Sequence, residues 1–206
     1  MPTISERRER ERAHRHQLII TAARELAEAE GWEAVTTRRL AERVEYSQPV
    51  LYSHFNGKDA IVSAVALDGF SQLAAHLSHA RQAATEPGQA ALRAVSHAYL
   101  AFATERPALY QAMFILPTDL KFASTETPAP LRASFDEFVN CFHPDNERRE
   151  LFAEVIWSAL HGIAVLSGSG RIPPDGQEER VDLIIAQIAG TRQDRQRHKR
   201  GSRSRT

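Results

Sequence analysis

TTRRLAERVEYSQPVLYSHFNGK, residues 36–58, decides how the rest of the chain is read. Thr36-Thr37 supplies a side-chain cap for a short helix whose apolar positions are Leu40, Ala41 and Val44. Glu45-Tyr46 follows as a tight turn. Ser47 is placed to cap a second helix, and Pro49 falls in its first turn, where a missing N–H costs little. That helix carries Val50, Leu51 and Phe55. Two short helices joined by so tight a turn, with six apolar side chains to bury between them, have helix-turn-helix form over about residues 36–55.

The flanking segments have the same helical period. Upstream, Leu18, Ile19, Ala22, Ala23, Leu26 and Ala27 recur at steps of one, three and four, and Gly31 stands where a left-handed C-cap belongs. Downstream, Asn56 is read as the cap of a helix carrying Ile61, Val62, Val65, Ala66, Phe70, Leu73 and Leu77. Glu86-Pro87-Gly88 breaks the pattern. Helices are then expected around Leu92–Phe102, Leu109–Phe114 and Leu131–Phe142, with residues 117–130 as a loop. Two more are expected at roughly 147–167 and 177–189. Asp175 and Glu178 have capping-box spacing before the last. No strand-like alternation exceeds four residues. The fold class is therefore all-α, with about nine helices: an N-terminal three-helix unit and a C-terminal helical domain.

Charge divides the chain further. The 206 residues balance 26 basic against 26 acidic side chains. Residues 1–16 nevertheless carry +2 and residues 191–206 carry +6, which leaves the body at −8. Basic ends on an acidic body suggest a polyanion partner; as solvated appendages they need none. The expected organisation is a basic arm over 1–16, a DNA-binding unit over 17–60, a helical domain over 61–190 and a basic, disordered tail over 191–206. The one cysteine, Cys141, excludes an internal disulfide framework. No apolar run approaches the ~18 residues of a membrane span, and the first 16 residues are charged, so neither a membrane helix nor a secretory leader is expected. The expected location is cytoplasmic.

In a helix-turn-helix the second helix enters the major groove and its first residues meet base edges. Gln48 is then a candidate reader, because an amide pairs bidentately with adenine, and Pro49 and Val50 are placed for thymine methyls. Thr37 sits at a helix N-terminus, whose free N–H groups suit a phosphate. Arg38, Arg39, Tyr52, His54 and Lys58 add phosphate donors, and Ser47 opens the reading helix.

The run Leu51-Tyr52-x-His54-Phe55-x-x-Lys58 extends the argument. With Ile20-x-Ala22-Ala23, Leu26, Gly31, Thr37, Leu40-Ala41 and Ser47, it resembles the N-terminal domain of the TetR (tetracycline-repressor-like) regulators over about Leu18–Phe70. The resemblance implies a dimeric bacterial transcription regulator, usually a repressor released from a near-palindromic operator by a small molecule. It maps phosphate contacts onto Thr37, Tyr52, His54 and Lys58, and base contacts onto Arg38, Gln48, Pro49 and Val50. One departure stands out: the tight turn, usually Gly in the family, is Glu45. Over about 88–190, Trp157-x-x-x-His161-Gly162, Tyr99-x-x-Phe102 and Pro107-Ala108-Leu109-Tyr110 resemble a Trp-His-Gly subgroup of that family. This implies an effector pocket, expected among Tyr99, Phe102, Tyr110, Met113, Phe114, Phe138, Trp157 and His161, for an apolar or aromatic ligand. It also implies a homodimer through the last two helices, where Ile184, Ile185 and Ile188 are expected to lie uncovered.

Plainer readings stand beside these. Aromatic residues at helical spacing are more often simple core, and His161 fits a buried histidine satisfied by the backbone. Gly162 is read as a place where helices approach closely. His76 and His79 lack an evident third ligand, so no metal and no cofactor are expected. Cys141, with no basic cluster beside it, reads as a small buried residue. Two other classes compete with the regulator: an enzyme built on the C-terminal bundle, and a helical protein-binding module without DNA binding. No catalytic motif supports the first, and Tyr52, His54 and Lys58 argue against the second.

Overall fold

The computed structural model describes residues 3–84 and 86–188. Among them are nine α-helices, one 3₁₀ turn and no strand. The helices are α1 (Ile4–Glu30), α2 (Thr37–Arg43), α3 (Gln48–Tyr52), α4 (Lys58–Gln82), α5 (Gln89–Glu105), α6 (Pro107–Phe114), α7 (Ala129–Val139), α8 (Arg149–Gly168) and α9 (177–188). The all-α expectation holds. The tail over 191–206 lies outside the described residues.

The N-terminal arm departs from expectation, because residues 4–16 are the first turns of α1. Thr3 and Glu6 form a reciprocal capping box that supplies the missing start signal. Glu11 then pairs with Arg7 and Arg15, each four residues away. From Ile19 onward α1 buries Ile19, Ile20, Ala22, Ala23, Leu26 and Ala27, whereas Leu18 is exposed. The helix stops at Gly31, whose φ of 82° suits a residue without Cβ, and its N–H bonds to the Ala27 carbonyl.

The chain forms two compact units. Of the described residues, one takes those up to Gln72 together with Glu105–Leu131; the other takes those within Leu73–Thr104 and from Arg132 onward. This differs from a division at 60/61, because α4 runs unbroken past it and α6 packs back onto α1. In the first unit Glu28 closes the N-terminus of α6: its carboxylate accepts from the N–H groups of Ala108 (3.1 Å) and Leu109 (2.9 Å). Pro107 at the first turn has no N–H to satisfy. The buried Trp32 indole donates to the Ala108 carbonyl at 2.8 Å. Gly69 of α4 lies against α6; a Cβ there would come within 2.7 Å of Met113 Sδ and 2.8 Å of Leu109 Cδ1.

In the second unit Leu77, Val95, Tyr99, Phe102, Phe138, Ile156 and Leu160 form the core, each burial worth about 1.5–3 kcal/mol for the larger side chains. An Arg81–Glu137 ion pair of 2.6 Å ties α4 to α7, and Arg93–Asp182 ties α5 to α9. Cys141 is buried, donates to the Glu137 carbonyl and has its thiol pKa pushed up to about 12, chiefly by burial, so it is a packed thiol rather than a reactive one.

Several local expectations are corrected. Helix α4 begins at Lys58, so Asn56 lies two residues before it. Gly176 offers the first carbonyl of α9, to Arg180 N–H, so Asp175 is one residue too early to be its cap. Gly162 has nothing within 4 Å of where a Cβ would stand; Gly69 is the close-approach glycine. Ile185 and Ile188 are buried and Ile184 is half-buried, because α9 turns Val181, Ile185 and Ile188, spaced four and three, into its own unit. On these last two helices the large apolar side chains left exposed are Leu151, Val155 and Leu166 on α8 and Leu183 on α9. By length and composition α4 and α8 are each apolar enough to cross a membrane, which counting unbroken apolar runs does not detect.

Candidate nucleic-acid interface

Helices α1, α2 and α3 build this face. Thr36 caps α2, its hydroxyl accepting from Arg39 N–H. Leu40, Ala41, Leu51 and Phe55 are all buried, and α2 packs on α3. Val44 and Val50 are only half-buried; α3 has five residues and turns Leu51 inward, and Phe55, three residues past its end, is buried as well. The turn between the helices is a Schellman closure. Tyr46 N–H reaches the Ala41 carbonyl (2.9 Å), Glu45 N–H reaches that of Glu42 (3.4 Å), and Glu45 itself has φ 56°.

With Leu51 inward, Ser47, Gln48, Pro49 and Tyr52 are exposed together. Ser47 occupies the N-cap position of α3 but makes no side-chain cap, so its hydroxyl does not close the helix N-terminus. The hydroxyls of Thr37 and Tyr52 stand 3.5 Å apart. Arg38 pairs with Glu42 four residues on, at the exposed surface.

Two further expected phosphate donors, Arg39 and Lys58, also have partners inside the protein. Arg39 donates from both terminal nitrogens to Glu30, at 2.8 and 2.7 Å, which holds the Glu30 carboxyl below its ordinary pKa and raises that of Arg39. A phosphate at Arg39 has to displace Glu30. Lys58 Nζ donates to the Trp32 carbonyl at 2.6 Å, leaving two of its three protons for a second acceptor. Both partners lie outside the 36–58 motif, where residue spacing gives no warning of them.

His54 is half-buried at the end of α3. His16 of α1 stacks on Phe55 with centroids 4.3 Å apart and lies 6.1 Å from His54. Burial lowers the pKa of both imidazoles; Arg12 lowers both further, and His16 and Arg15 add to the effect on His54. The sequence did contain a signal for His16, which precedes the buried Ile20 and Ala23 by four and seven residues.

The expected effector residues fall in both units. Tyr110 and Met113 are buried and Phe114 half-buried in the first, where Phe114 meets Phe70 edge-on at 5.1 Å. In the second, Tyr99, Phe102 and Phe138 are buried. Trp157 Nε1 lies 3.2 Å from the Tyr99 hydroxyl, and Tyr99 meets Phe138 edge-on at 5.7 Å. His161 is half-buried, and burial lowers its pKa.

Comparison with known proteins places this geometry in a family. Residues 19–65 match the family model for bacterial regulatory proteins of the tetR family, and residues 92–188 match that for the tetracyclin repressor-like C-terminal domain. An uncharacterized HTH-type transcriptional regulator of Bacillus subtilis, YobS, is 32% identical over 99 residues, 48% of this chain; the match spans about half (51%) of that relative's length. Among solved structures, a protein of unknown function from Rhodococcus sp. RHA1 superposes with TM-score 0.67 at 24% identity, over 84% of this chain and 92% of that one. The regulator FadR of Bacillus subtilis, solved with stearoyl-CoA, superposes with TM-score 0.61 at 11% identity, over 82% of this chain and 97% of that one. At these identities the two structures support the fold alone. The short helix pair, its tight turn and the matches to both halves together show that the chain belongs to the tetR family of bacterial regulatory proteins, helix-turn-helix regulators of transcription.

Proposed function

We propose that this chain is a ligand-responsive regulator, a repressor that binds a near-palindromic operator as a homodimer and leaves it when a small molecule occupies the C-terminal domain. The observation that carries the DNA-binding part is the outward face of α3, where Gln48, Pro49 and Tyr52 are exposed while Leu51 and Phe55 anchor the helix from behind. Gln48, Pro49 and Val50 read bases. Thr37, Tyr52, His54, Lys58 and Arg38 hold phosphates. Two copies of the reading helix then lie about one DNA turn apart, ~34–36 Å.

The dimer contact falls on α8 and α9. Leu151, Val155, Gly162 and Leu166 share one face of α8, at steps of four, seven and four. Three of them are exposed large hydrophobic residues, and Leu183 on α9 is 64% exposed. A second copy of this chain covers them, with Gly162 permitting close approach. Soluble chains rarely leave such surface open.

The effector is apolar or aromatic, recognised by aromatic side chains of the second unit, Phe102 and Phe138 among them, with Trp157 and Tyr99 as the polar partners. It acts only as far as its affinities for the DNA-competent and DNA-incompetent states differ. No resident metal or cofactor takes part, the chain works as a regulator rather than an enzyme, and it acts in the cytoplasm, where its DNA is. A gel shift with the DNA flanking the chain's own gene tests the reading. A shifted band that resists competitor DNA, from a protein of dimeric mass, is expected. A monomer without sequence preference contradicts the proposal and favours the protein-binding alternative.

A further inference from the structure

We propose that the first four turns of α1 form a second DNA-contact surface, a helical strip on which Arg8, Arg12 and Arg15 meet the phosphates flanking the site read by α3. The inference rests on the DNA-binding reading above and extends it to a part of the chain outside the helix-turn-helix.

The segment from Ile4 to Leu18 is helical, yet only His16 is even half-buried and Ile4 is 76% exposed. It therefore contributes almost nothing to the core. Its structure is maintained locally, by the Thr3–Glu6 capping box and by Glu11 between Arg7 and Arg15. At 1.5 Å per residue it projects about 20 Å beyond the packed part of α1.

The arginines are ordered along it. Arg8, Arg12 and Arg15 recur at steps of four and three, in phase with Ile19 four residues later. Ile19 is fully buried, so the arginine face is the continuation of the face that α1 turns toward its own unit. The contacts of His16, next to this stripe, locate it. His16 stacks on Phe55 and neighbours His54, while Arg12 and Arg15 act electrostatically on His54. The stripe thus runs out from the end of α3.

The charges on it are available. Among the described residues Arg8 and Arg12 form no ion pair, and Glu6 is used in the cap. Residues 17–190 are net acidic by eight charges, so basic side chains beside the reading helix add attraction that this part of the chain does not supply by its net charge. A guanidinium fork suits a phosphate. Its large apolar residues are Ile4 and Leu18 alone, one at each end, so it has no continuous apolar face, which argues against a lipid surface as the partner.

The test compares the full chain with Arg8→Ala/Arg12→Ala on a long random-sequence duplex and on the preferred site, each across a salt series. About 0.9 is lost from the log–log salt slope per phosphate contact removed. The slope is therefore expected to fall by about two, with affinity reduced equally on both duplexes and base preference unchanged. Arg8→Lys/Arg12→Lys, which keeps charge and helix, restores most of the slope. An unaltered slope in the alanine variant overturns the inference and leaves the DNA-binding reading intact. An equal loss in the lysine variant also overturns it, since charge is then not the cause. If the unmodified chain prefers no duplex sequence, the DNA-binding reading fails and this inference fails with it.

Discussion

The Thr37 and Tyr52 hydroxyls, from the first turn of α2 and the last turn of α3, stand 3.5 Å apart. That is too long for a strong O–H···O bond. We propose that both hydroxyls donate to one phosphate oxygen lying to the side of the pair. Tyr52 is 53% exposed, so its hydroxyl contributes little to the fold.

Tyr52→Phe is therefore expected to weaken binding to every duplex by the same factor. The loss is roughly 3- to 10-fold, for a hydrogen bond of about 0.5–1.5 kcal/mol. Titrations against specific and random duplexes check this, with thermal melting as the control for stability. A loss confined to one sequence contradicts the assignment.

Glu45→Gly is expected to stabilise the protein. Glu45 holds φ 56° in the Schellman turn, where a side chain costs about 1 kcal/mol relative to glycine. The melting temperature should rise by roughly 2–4 °C for a chain of this size. A fall shows that Glu45 makes compensating contacts through its side chain.

Gly69→Ala is expected to destabilise. The added methyl meets Met113 Sδ and Leu109 Cδ1 at 2.7 and 2.8 Å, inside contact distance. Overpacking of this kind costs about 1–3 kcal/mol. Denaturant unfolding measures it, and the same substitution should cost less in a Met113→Ala background, where one of the two clashing side chains is gone.

These residues also show what the sequence made legible. The α2–α3 pair was readable because the Thr36 cap, proline placement and apolar spacing are local signals that agreed, although Ser47 makes no side-chain cap. The extension of α1 was obscured by composition: a run of Arg and Glu reads as a solvated arm unless Thr3-x-x-Glu6 is taken as a start signal. Arg39 and Lys58 looked like free donors because Glu30 and the Trp32 carbonyl reach them through tertiary packing, 9 and 26 residues away in the chain. For the same reason Ile185 and Ile188 looked uncovered: an apolar stripe reveals that a helix packs, but not whether its partner is its own chain or another copy.

Proton linkage gives a further test. The folded-state pKa values of His16 and His54 lie below 6.5, so the unfolded chain binds more protons, and stability falls as pH drops through about 6.5 and below. DNA binding should move the opposite way. A phosphate beside His54 favours the imidazolium, so the complex takes up a proton and affinity rises as pH is lowered from 7.5 toward 6. His54→Gln should flatten that rise. Affinity independent of pH in the unmodified protein removes His54 from the phosphate contacts.

The most direct measurement is selection of bound duplexes from a random library, run in parallel with the unmodified chain and Gln48→Ala. Gln48 is exposed at the start of α3, where a base-reading side chain belongs. The unmodified chain is expected to enrich a near-palindrome of two half-sites one turn apart. Gln48→Ala should relax discrimination at one base pair of each half-site, by about 1–3 kcal/mol, and leave the others alone. Identical profiles from the two proteins, or no enrichment from either, would contradict the assignment of α3 as the reading helix.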